Sequence, residues 1–206
     1  MSEAAQADRA AVPRILVFAG SARRESLNKK LARAAARLAE GPGAEVRFID
    51  LDDFPMPLYH GDLEDEQGMP AKALELREIF IAHDALLIAS PENNHSVTAL
   101  LKNTLDWLSR DIGDGKGQAS GLAPFRGKVA GIMGATPGPW GTLRGGIPHL
   151  RTILAALGVL VLGPQVPVAR ADEVFDAEGN IKDSRVERSV KSLVGQLIET
   201  TRKQHG

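Results

Sequence analysis

The chain has 206 residues, of which 43% are hydrophobic and 25% charged, and its formal net charge is −1. This length and composition allow a sizeable buried core and exclude a disordered, collagenous or membrane-spanning chain. Cysteine is absent, which excludes disulfides, cysteine-based metal centres and a thiol nucleophile. The near balance of acidic and basic residues argues against a general nucleic-acid-binding protein.

Residues 1–13 are polar, and we expect them to form a tail before a single domain over 14–206. They lack the basic region followed by an apolar run that marks a secretory signal. Together with the absence of cysteine, this favours a cytoplasmic protein with neither membrane nor nucleic-acid partners.

Apolar runs and helix-type patterns alternate along the chain. The runs at 15–20, 84–90 and 128–135 are short and apolar throughout, as buried parallel strands are. The segment 44–50 alternates in polarity, which predicts a strand at one edge of the sheet. The segment 159–168 predicts a fifth strand that glycine and proline interrupt.

Apolar residues recur at helical spacing between and after these strands. The first helix is predicted to end at the Gly-Pro-Gly sequence 41–43 and to carry Lys29 on a polar face. His83 shares the apolar face of the second helix and is interpreted as a buried histidine with a satisfied ring. The five apolar faces are Leu27, Leu31, Ala35 and Leu38; Leu76, Ile79 and Phe80; Leu101, Leu105 and Leu108; Ile147, Leu150, Ile153, Leu154 and Leu157; and Val186, Val190, Leu193 and Leu197.

Two segments are predicted as loops, the acidic, proline-containing stretch 54–68 and the glycine-rich stretch 113–121. Five strands alternating with five helices predict an α/β fold, a parallel sheet with helices on both faces. Such sheets bind ligands beyond the carboxyl ends of their strands, where the strand order reverses. The loops after the strands at 15–20, 84–90 and 128–135 are therefore the candidate site.

The first of these loops reads GSARRESLN, residues 20–28. Its glycine permits a tight turn, Ser21 and Ser26 supply hydroxyls, and Arg23 and Arg24 supply cationic donors. A helix begins directly after it, and a helix N-terminus favours an anion, so the loop suits a terminal phosphate. The alternative is that Ser26 only caps the helix and the arginines are solvated.

The second loop opens the sequence SPENNHSVTALLKNTLDW, residues 90–107. Pro91 fixes the chain direction, and the polar residues after it suit the edge of a flat heteroaromatic ring. The alternative is turn chemistry with an N-cap from Asn94 or Ser96. Trp107 is expected in the core or at an interface. The candidate ring-lining residues are Pro91, Glu92, Asn93, Asn94 and His95.

The third loop reads GATPGPWGTLRGG, residues 134–146. Its glycines permit close approach of the backbone to a ligand, and Trp140 is placed to stack on one. Alone, the loop is equally a flexible connection with an exposed tryptophan. Three such loops at one edge of a parallel sheet together favour a ligand site.

These segments resemble the NAD(P)H-dependent FMN reductase family. GSARRESLN is similar to the family's GSxRxxSxN loop, and SPENNHSVTALLKNTLDW resembles its PEYN…LKNxxDW segment. The glycine-rich third loop with Arg144 and the following LGVLVLGPQV are also similar, so the likeness runs from about Arg14 to Val168. The resemblance implies a flavodoxin-like three-layer sandwich with strand order 2-1-3-4-5 that binds FMN without a covalent bond.

By the same resemblance, the first loop holds the FMN phosphate through Ser21, Arg23, Ser26, Leu27 and Asn28. The residues Pro91, Glu92, Asn93, Asn94 and His95 line the isoalloxazine on one side, and Thr136, Pro137, Gly138 and Trp140 border it on the other. No residue is assigned as a catalytic acid or base, and no metal site is expected. The segment 57–66 resembles the stretch near the rim of the family's site.

The implied activity is hydride transfer from NADPH or NADH to FMN, and then reduction of a quinone, azo compound, free flavin or metal oxyanion. A homodimer or homotetramer is implied as well. Arg23, Arg24 and Arg144 are candidates for meeting the 2′-phosphate that distinguishes NADPH. The family's PEYN tyrosine is Asn93 here, which gives hydrogen bonds but little stacking, and Trp140 is expected to supply the missing aromatic surface.

Other classes with this architecture fit the sequence poorly. Low-molecular-weight phosphatases need a cysteine, and receiver domains need acidic residues where GSARR and SPENN stand. A Ser–His triad lacks its GDS-like nucleophile and its partner for His205. Two alternatives stay open. One is a flavodoxin-type electron carrier with a protein partner, and the other is a flavin-free interaction module of the same fold.

Overall fold

The computed structural model describes residues 12–41, 43–113, 120–140, 142 and 144–205. Most of the predicted tail, Pro42 and residues 114–119 of the predicted loop 113–121 lie outside them. The strands are β1 (Arg14–Ala19), β2 (Glu45–Phe48), β3 (Ala85–Ala89), β4 (Val129–Ala135) and β5 (Leu160–Val168). The helices are α1 (Leu27–Ala39), α2 (Gly61–Gln67), α3 (Ala71–Ile81), α4 (Ala99–Leu108), α5 (Gly146–Ala156) and α6 (Ser184–His205).

The five strands form one parallel sheet in the order β2-β1-β3-β4-β5. This is the flavodoxin-like order, and it confirms the predicted fold. β2 is an edge strand, as its alternating pattern predicts, with a burial pattern of exposed and half-buried residues. The order reverses between β1 and β3, which places the switch point beside the ends of these two strands.

Helices cover both faces of the sheet, and each face has its own core. Ile15 and Val17 of β1 pack in the cluster that includes the buried sides of α1 and α6. Leu16 and Phe18, the alternate residues, pack in the cluster formed with α3, α4 and α5. Because every residue of β3 and β4 is buried, the two strands read as continuous apolar runs.

Three predictions need correction. The stretch 54–68 is not only a loop, because α2 lies within it, so the described residues contain six α-helices instead of five. Lys29 is buried, not on a polar face. His83 lies beyond the end of α3 and not on its apolar face. Its interpretation as a buried histidine with a satisfied ring is confirmed, because its Nδ1 is 2.6 Å from the Ile79 carbonyl oxygen. Among the described residues, no helix combines the length and apolarity needed to cross a membrane.

Candidate functional site

The three candidate loops leave the sheet at one edge. Ala19 at the end of β1 is in register with Ala89 at the end of β3, and Ala89 with Met133 of β4. Hydrogen bonds continue this alignment into the loops, from the Gly20 N–H to the Ala89 carbonyl at 2.9 Å and from the Ser90 N–H to the Met133 carbonyl at 2.8 Å. The predicted convergence of the loops is therefore present.

The first loop ends at the N-terminus of α1. Ser26 is the N-cap, and its side chain accepts a hydrogen bond from the Lys29 N–H at 3.3 Å. The first turn of α1 holds no acidic residue, and Glu25, which precedes the cap, pairs with Lys30 at 3.3 Å. Arg23 and Arg24 are exposed beside it. Capping by Ser26 and a cationic surface for an anion are thus both present.

Asn28 connects the first loop to the third. Its side-chain NH2 donates to the Ala135 carbonyl at 2.8 Å, and its side-chain oxygen accepts from the Ala135 N–H at 2.9 Å. The side chain is buried, and this pair of bonds fixes the start of α1 against the end of β4. The geometry gives Asn28 a positioning role, which its place in the motif does not reveal.

Lys29 is a residue of this region that the sequence analysis missed. Its Nζ donates to the Ala22 carbonyl at 3.2 Å and lies 2.7 Å from Asp50 Oδ2. The buried amine thereby supports the first loop from beneath. No signal in the local sequence separates it from Lys30, because the partner that selects it follows β2, far along the chain.

A further tie runs from α4 to the first loop. Thr98 is the N-cap of α4, where its hydroxyl oxygen accepts from the Leu101 N–H at 3.1 Å. The same hydroxyl donates to the Gly20 carbonyl at 2.7 Å. The N-cap is therefore Thr98, and the predicted caps Asn94 and Ser96 are wrong.

Asn93 to Ser96 form a tight hairpin at the end of β3. Asn93 and Ser96 exchange two backbone hydrogen bonds, both 2.9 Å long. The central residues Asn94 and His95 have φ values of 49° and 59°. Positive φ at both central positions defines a type I′ turn, which asparagine adopts more readily than most residues. The hairpin presents Asn93, Asn94 and His95 as exposed side chains.

Glu92 joins the second loop to the third. Its Oε2 accepts from the N–H groups of Gly145 and Gly146 at 3.1 and 2.9 Å, at the start of α5. Its other oxygen lies 3.3 Å from His95 Nδ1. A carboxylate at a helix N-terminus is stabilised by the dipole. A side chain on Gly145 would collide with the His95 backbone, so this close approach requires glycine.

The third loop is folded against the end of β5. The Thr136 hydroxyl accepts from the Gly138 N–H at 3.2 Å, and the Gly138 carbonyl accepts from the Arg170 N–H at 3.0 Å. Trp140 is 67% exposed. The guanidinium carbon of Arg144 lies 5.0 Å from the centre of its ring.

The LKNTLDW sequence lies on α4 and holds the segment that precedes α2. Asn103 accepts from the Tyr59 N–H at 2.8 Å and donates to the Pro57 carbonyl at 2.9 Å. Trp107 is fully buried and donates to the same carbonyl at 2.8 Å, which confirms its predicted place in the core. The Tyr59 hydroxyl donates to Glu64, and this bond raises the pKa of the tyrosine.

A cleft of about 650 Å³ adjoins the hairpin on the side of α4 and α5. Asn93, Asn94, Lys102, His149 and Ile153 are among its lining residues. Its polar groups include the His149 Nδ1, which is 3.0 Å from the Ser96 hydroxyl. Across the described part of the chain, no group of three or more histidine, aspartate or glutamate residues is arranged to hold a metal ion.

Comparison with known proteins places the chain among flavin reductases. The family model for NADPH-dependent FMN reductase matches residues 13–173. An NAD(P)H-dependent FMN reductase of Pseudomonas aeruginosa is 34% identical over 194 residues, which cover 94% of this chain and 97% of that protein. A 2-hydroxy-1,4-benzoquinone reductase of a Burkholderia species is 34% identical over 190 residues, 92% of this chain and 96% of that one.

The solved structure of FerB, a flavoenzyme NAD(P)H:(acceptor) oxidoreductase of Paracoccus denitrificans, matches with a TM-score of 0.75 and 28% identity, and the match covers 95% of this chain and all of that one. The family match spans most of the sequence, including all three loops at the carboxyl edge of the sheet. The chain is an oxidoreductase that belongs to the NADPH-dependent FMN reductase family, whose cofactors are FMN and NAD(P)H.

Proposed function

We propose that this protein binds FMN at the carboxyl edge of its sheet and uses NAD(P)H to reduce a small acceptor such as a quinone. One observation carries the proposal. The N-terminus of α1, whose first turn holds no acidic residue and which Arg23 and Arg24 flank, opens on the same edge as the asparagine hairpin and the glycine-rich loop. A phosphate site beside a slot for a flat ring matches the chemistry of FMN.

The first loop is proposed to hold the FMN phosphate. The hydroxyls of Ser21 and Ser26, the Arg23 guanidinium and the N–H groups of the first helical turn from Leu27 are its donors. Asn28 is proposed to act indirectly, because both polar ends of its carboxamide already pair with Ala135. Its role is to fix the distance between the phosphate loop and the loop after β4.

The second and third loops are proposed to hold the isoalloxazine. Glu92 orients both loops through its bonds to Gly145 and Gly146 rather than by touching the ring with its carboxylate. The amides of Asn93 and Asn94 are proposed to stabilise negative charge at the ring edge. The ring-lining residues proposed are Pro91, Asn93, Asn94, His95, Thr136, Pro137, Gly138 and Trp140.

When bound, FMN supplies the hydride and electron chemistry itself. The protein's task is to orient the ring, to leave one face open for donor and acceptor in turn, and to place hydrogen-bond donors at its edge. Since one open face serves both substrates, ping-pong kinetics are expected. The acceptors proposed are a quinone, azo compound, free flavin or metal oxyanion. A cytoplasmic homodimer or homotetramer is proposed as the working form.

An anaerobic visible spectrum tests this proposal. Purified protein is incubated with FMN, desalted, and recorded before and after addition of NADPH and, separately, NADH. We expect a retained flavin band at about 450 nm, the cofactor's own absorbance, that bleaches with a nicotinamide nucleotide. Arg23→Ala is expected to retain less flavin, whereas Arg126→Ala, an exposed arginine before β4 at the opposite edge, matches wild type.

Two other outcomes indicate a different function for this protein. Retained flavin that neither nucleotide bleaches indicates an electron carrier with a protein partner. Failure to retain flavin, together with no turnover in excess free FMN, indicates a binding module of the same fold. Either result contradicts the proposed reductase.

A further inference from the structure

Arg144 lies in the third loop of the candidate site, where its neighbour is an aromatic ring and not a carboxylate. Its guanidinium stacks over the ring of Trp140, and both side chains are exposed. Within the described residues, Arg144 is not a member of any ion pair. Stacking on an indole holds a guanidinium in place while its N–H donors stay free at the edge of the stack.

The neighbouring carboxylate, Glu92, forms no ion pair with this cation in the described part of the chain. Glu92 contacts the two residues that directly follow Arg144, but its oxygens are taken by the N–H groups of Gly145 and Gly146 and by His95. Glu92 therefore caps α5, and the guanidinium of Arg144 lies over the ring of Trp140. A free, pre-oriented guanidinium is suited to a bidentate bond with an external anion.

A second cation flanks the same loop. The Arg170 N–H donates to the Gly138 carbonyl at 3.0 Å, and the residue is held at a φ of 46°. Its side chain is exposed. Because the acidic residues Asp172 and Glu173 follow it within three residues, we assign Arg170 the smaller share of any anion binding.

We infer that Arg144, supported by Arg170, binds the 2′-phosphate of NADPH and makes this rim select NADPH over NADH. The inference rests on the proposed function, because it names the nicotinamide nucleotide that the same site takes. The 2′-phosphate is the group that distinguishes NADPH from NADH, and arginine is its usual partner in proteins. Arg23 and Arg24 stand in the loop assigned to the FMN phosphate, which leaves the third loop for the second phosphate.

Steady-state kinetics with FMN-loaded protein test the inference. The variants are Arg144→Ala, Arg144→Lys and, as a matched control, Arg126→Ala. For Arg144→Ala we expect kcat/KM for NADPH to fall about 10- to 100-fold, the effect of losing a hydrogen bond to a charged group, with NADH changed less than about 3-fold. Arg144→Lys is expected to keep part of the preference, and Arg126→Ala all of it. Equal losses for both nucleotides, or none, overturn the inference.

The same chemistry would also serve an acceptor that carries an anionic group. Comparing a neutral quinone with a carboxylated one, at saturating NADH, distinguishes binding of the NADPH 2′-phosphate from binding of an anionic acceptor. A loss in Arg144→Ala that is confined to the carboxylated quinone, with the NADPH preference intact, overturns the inference in favour of an acceptor site.

A binding measurement keeps the inference testable without turnover. The chain has two tryptophans, and Trp107 is buried while Trp140 is exposed, so a ligand on Arg144 should quench the fluorescence of Trp140. We expect adenosine 2′,5′-bisphosphate to quench wild type but not Arg144→Ala, and adenosine 5′-monophosphate to quench neither. If wild type reduces no flavin but shows this quenching, the proposed function fails while the 2′-phosphate site stands. If the bisphosphate does not quench wild type, the inference fails.

Discussion

Glu92 illustrates how one side chain can support a site without touching the ligand. Its carboxylate accepts two backbone N–H groups at the start of α5 and lies beside His95, with little solvent exposure. The motif alone indicates a ring-lining acid, since a motif records position and not contacts. The cap becomes visible only when the loop after β4 folds back onto the loop after β3.

We predict that Glu92→Gln lowers the free energy of unfolding by about 1 to 2 kcal/mol, because a charged cap is replaced by a neutral one. Urea unfolding at neutral pH measures it. Glu178→Gln, which alters an exposed glutamate away from the site, is the control and should leave stability unchanged. Stability equal to wild type in Glu92→Gln would contradict the capping role.

Asn28 and Lys29 mark the limit of prediction at this scale. The sequence places both in or beside a phosphate-type loop, and the residue types are right for that chemistry. Their partners are Ala135 and Asp50, which are distant in the chain and are brought close only by the parallel sheet. Predicting such pairings requires knowledge of the strand order in the sheet, which a local sequence pattern does not contain.

At the scale of elements, burial explains which predictions succeeded. β3 and β4 are buried throughout and were predicted from apolar runs, whereas α2 buries none of its residues. A helix without a buried face has no apolar periodicity to detect. The acidic, proline-containing stretch 54–68 therefore reads as a loop, although Gly61–Gln67 is helical.

The hydrogen bonds that join Asn103 of α4 to the segment before α2, here called the clamp, provide a prediction at this scale. Asn103 makes two hydrogen bonds to Pro57 and Tyr59, and one of them protects the Tyr59 N–H. Asn103→Ala should speed exchange of that amide about 5- to 10-fold, as expected for losing roughly 1 kcal/mol of local protection.

Hydrogen exchange followed by NMR measures the clamp directly. Lys102→Ala is the matched control, since Lys102 precedes Asn103 on the same helix and its ion pair is with the half-buried Asp106, not with the segment before α2. Exchange at Tyr59 that is unchanged in Asn103→Ala, or equally faster in both variants, would show that α4 does not hold this segment.

At the scale of the whole molecule, the carboxyl and amino ends of the parallel strands have different electrostatics. The carboxyl edge carries the candidate site, with its exposed arginines. The opposite edge, where the strands begin, holds a buried lysine, Lys128. Its Nζ donates to the His83 carbonyl near the ion pair of Arg14 with Asp84. Burial lowers the pKa of Lys128 from 10.5 to about 8, against the opposing attraction of Asp84. Burial also lowers the pKa of His83.

This amine should make global stability rise with pH over a defined window. Below pH 8 it is protonated in both the folded and the unfolded chain, and burying the charge destabilises the fold. Between about 8 and 10.5 the folded chain has released the proton that the unfolded chain still binds, so folding gains up to about 3 kcal/mol. The neutral state of His83 adds nothing here, since histidine titrates at lower pH.

Lys128→Met isolates this contribution, because all other titrating groups are common to both proteins. We predict that the free energy of unfolding of wild type rises relative to Lys128→Met between pH 8 and 10, by roughly 1 to 3 kcal/mol. Urea unfolding at pH 7, 8.5 and 10 gives the two profiles. Since Lys128 lies at the edge opposite the candidate site, FMN retention at pH 7 should be the same for both proteins. Parallel profiles would mean that the amine is not desolvated in the folded protein.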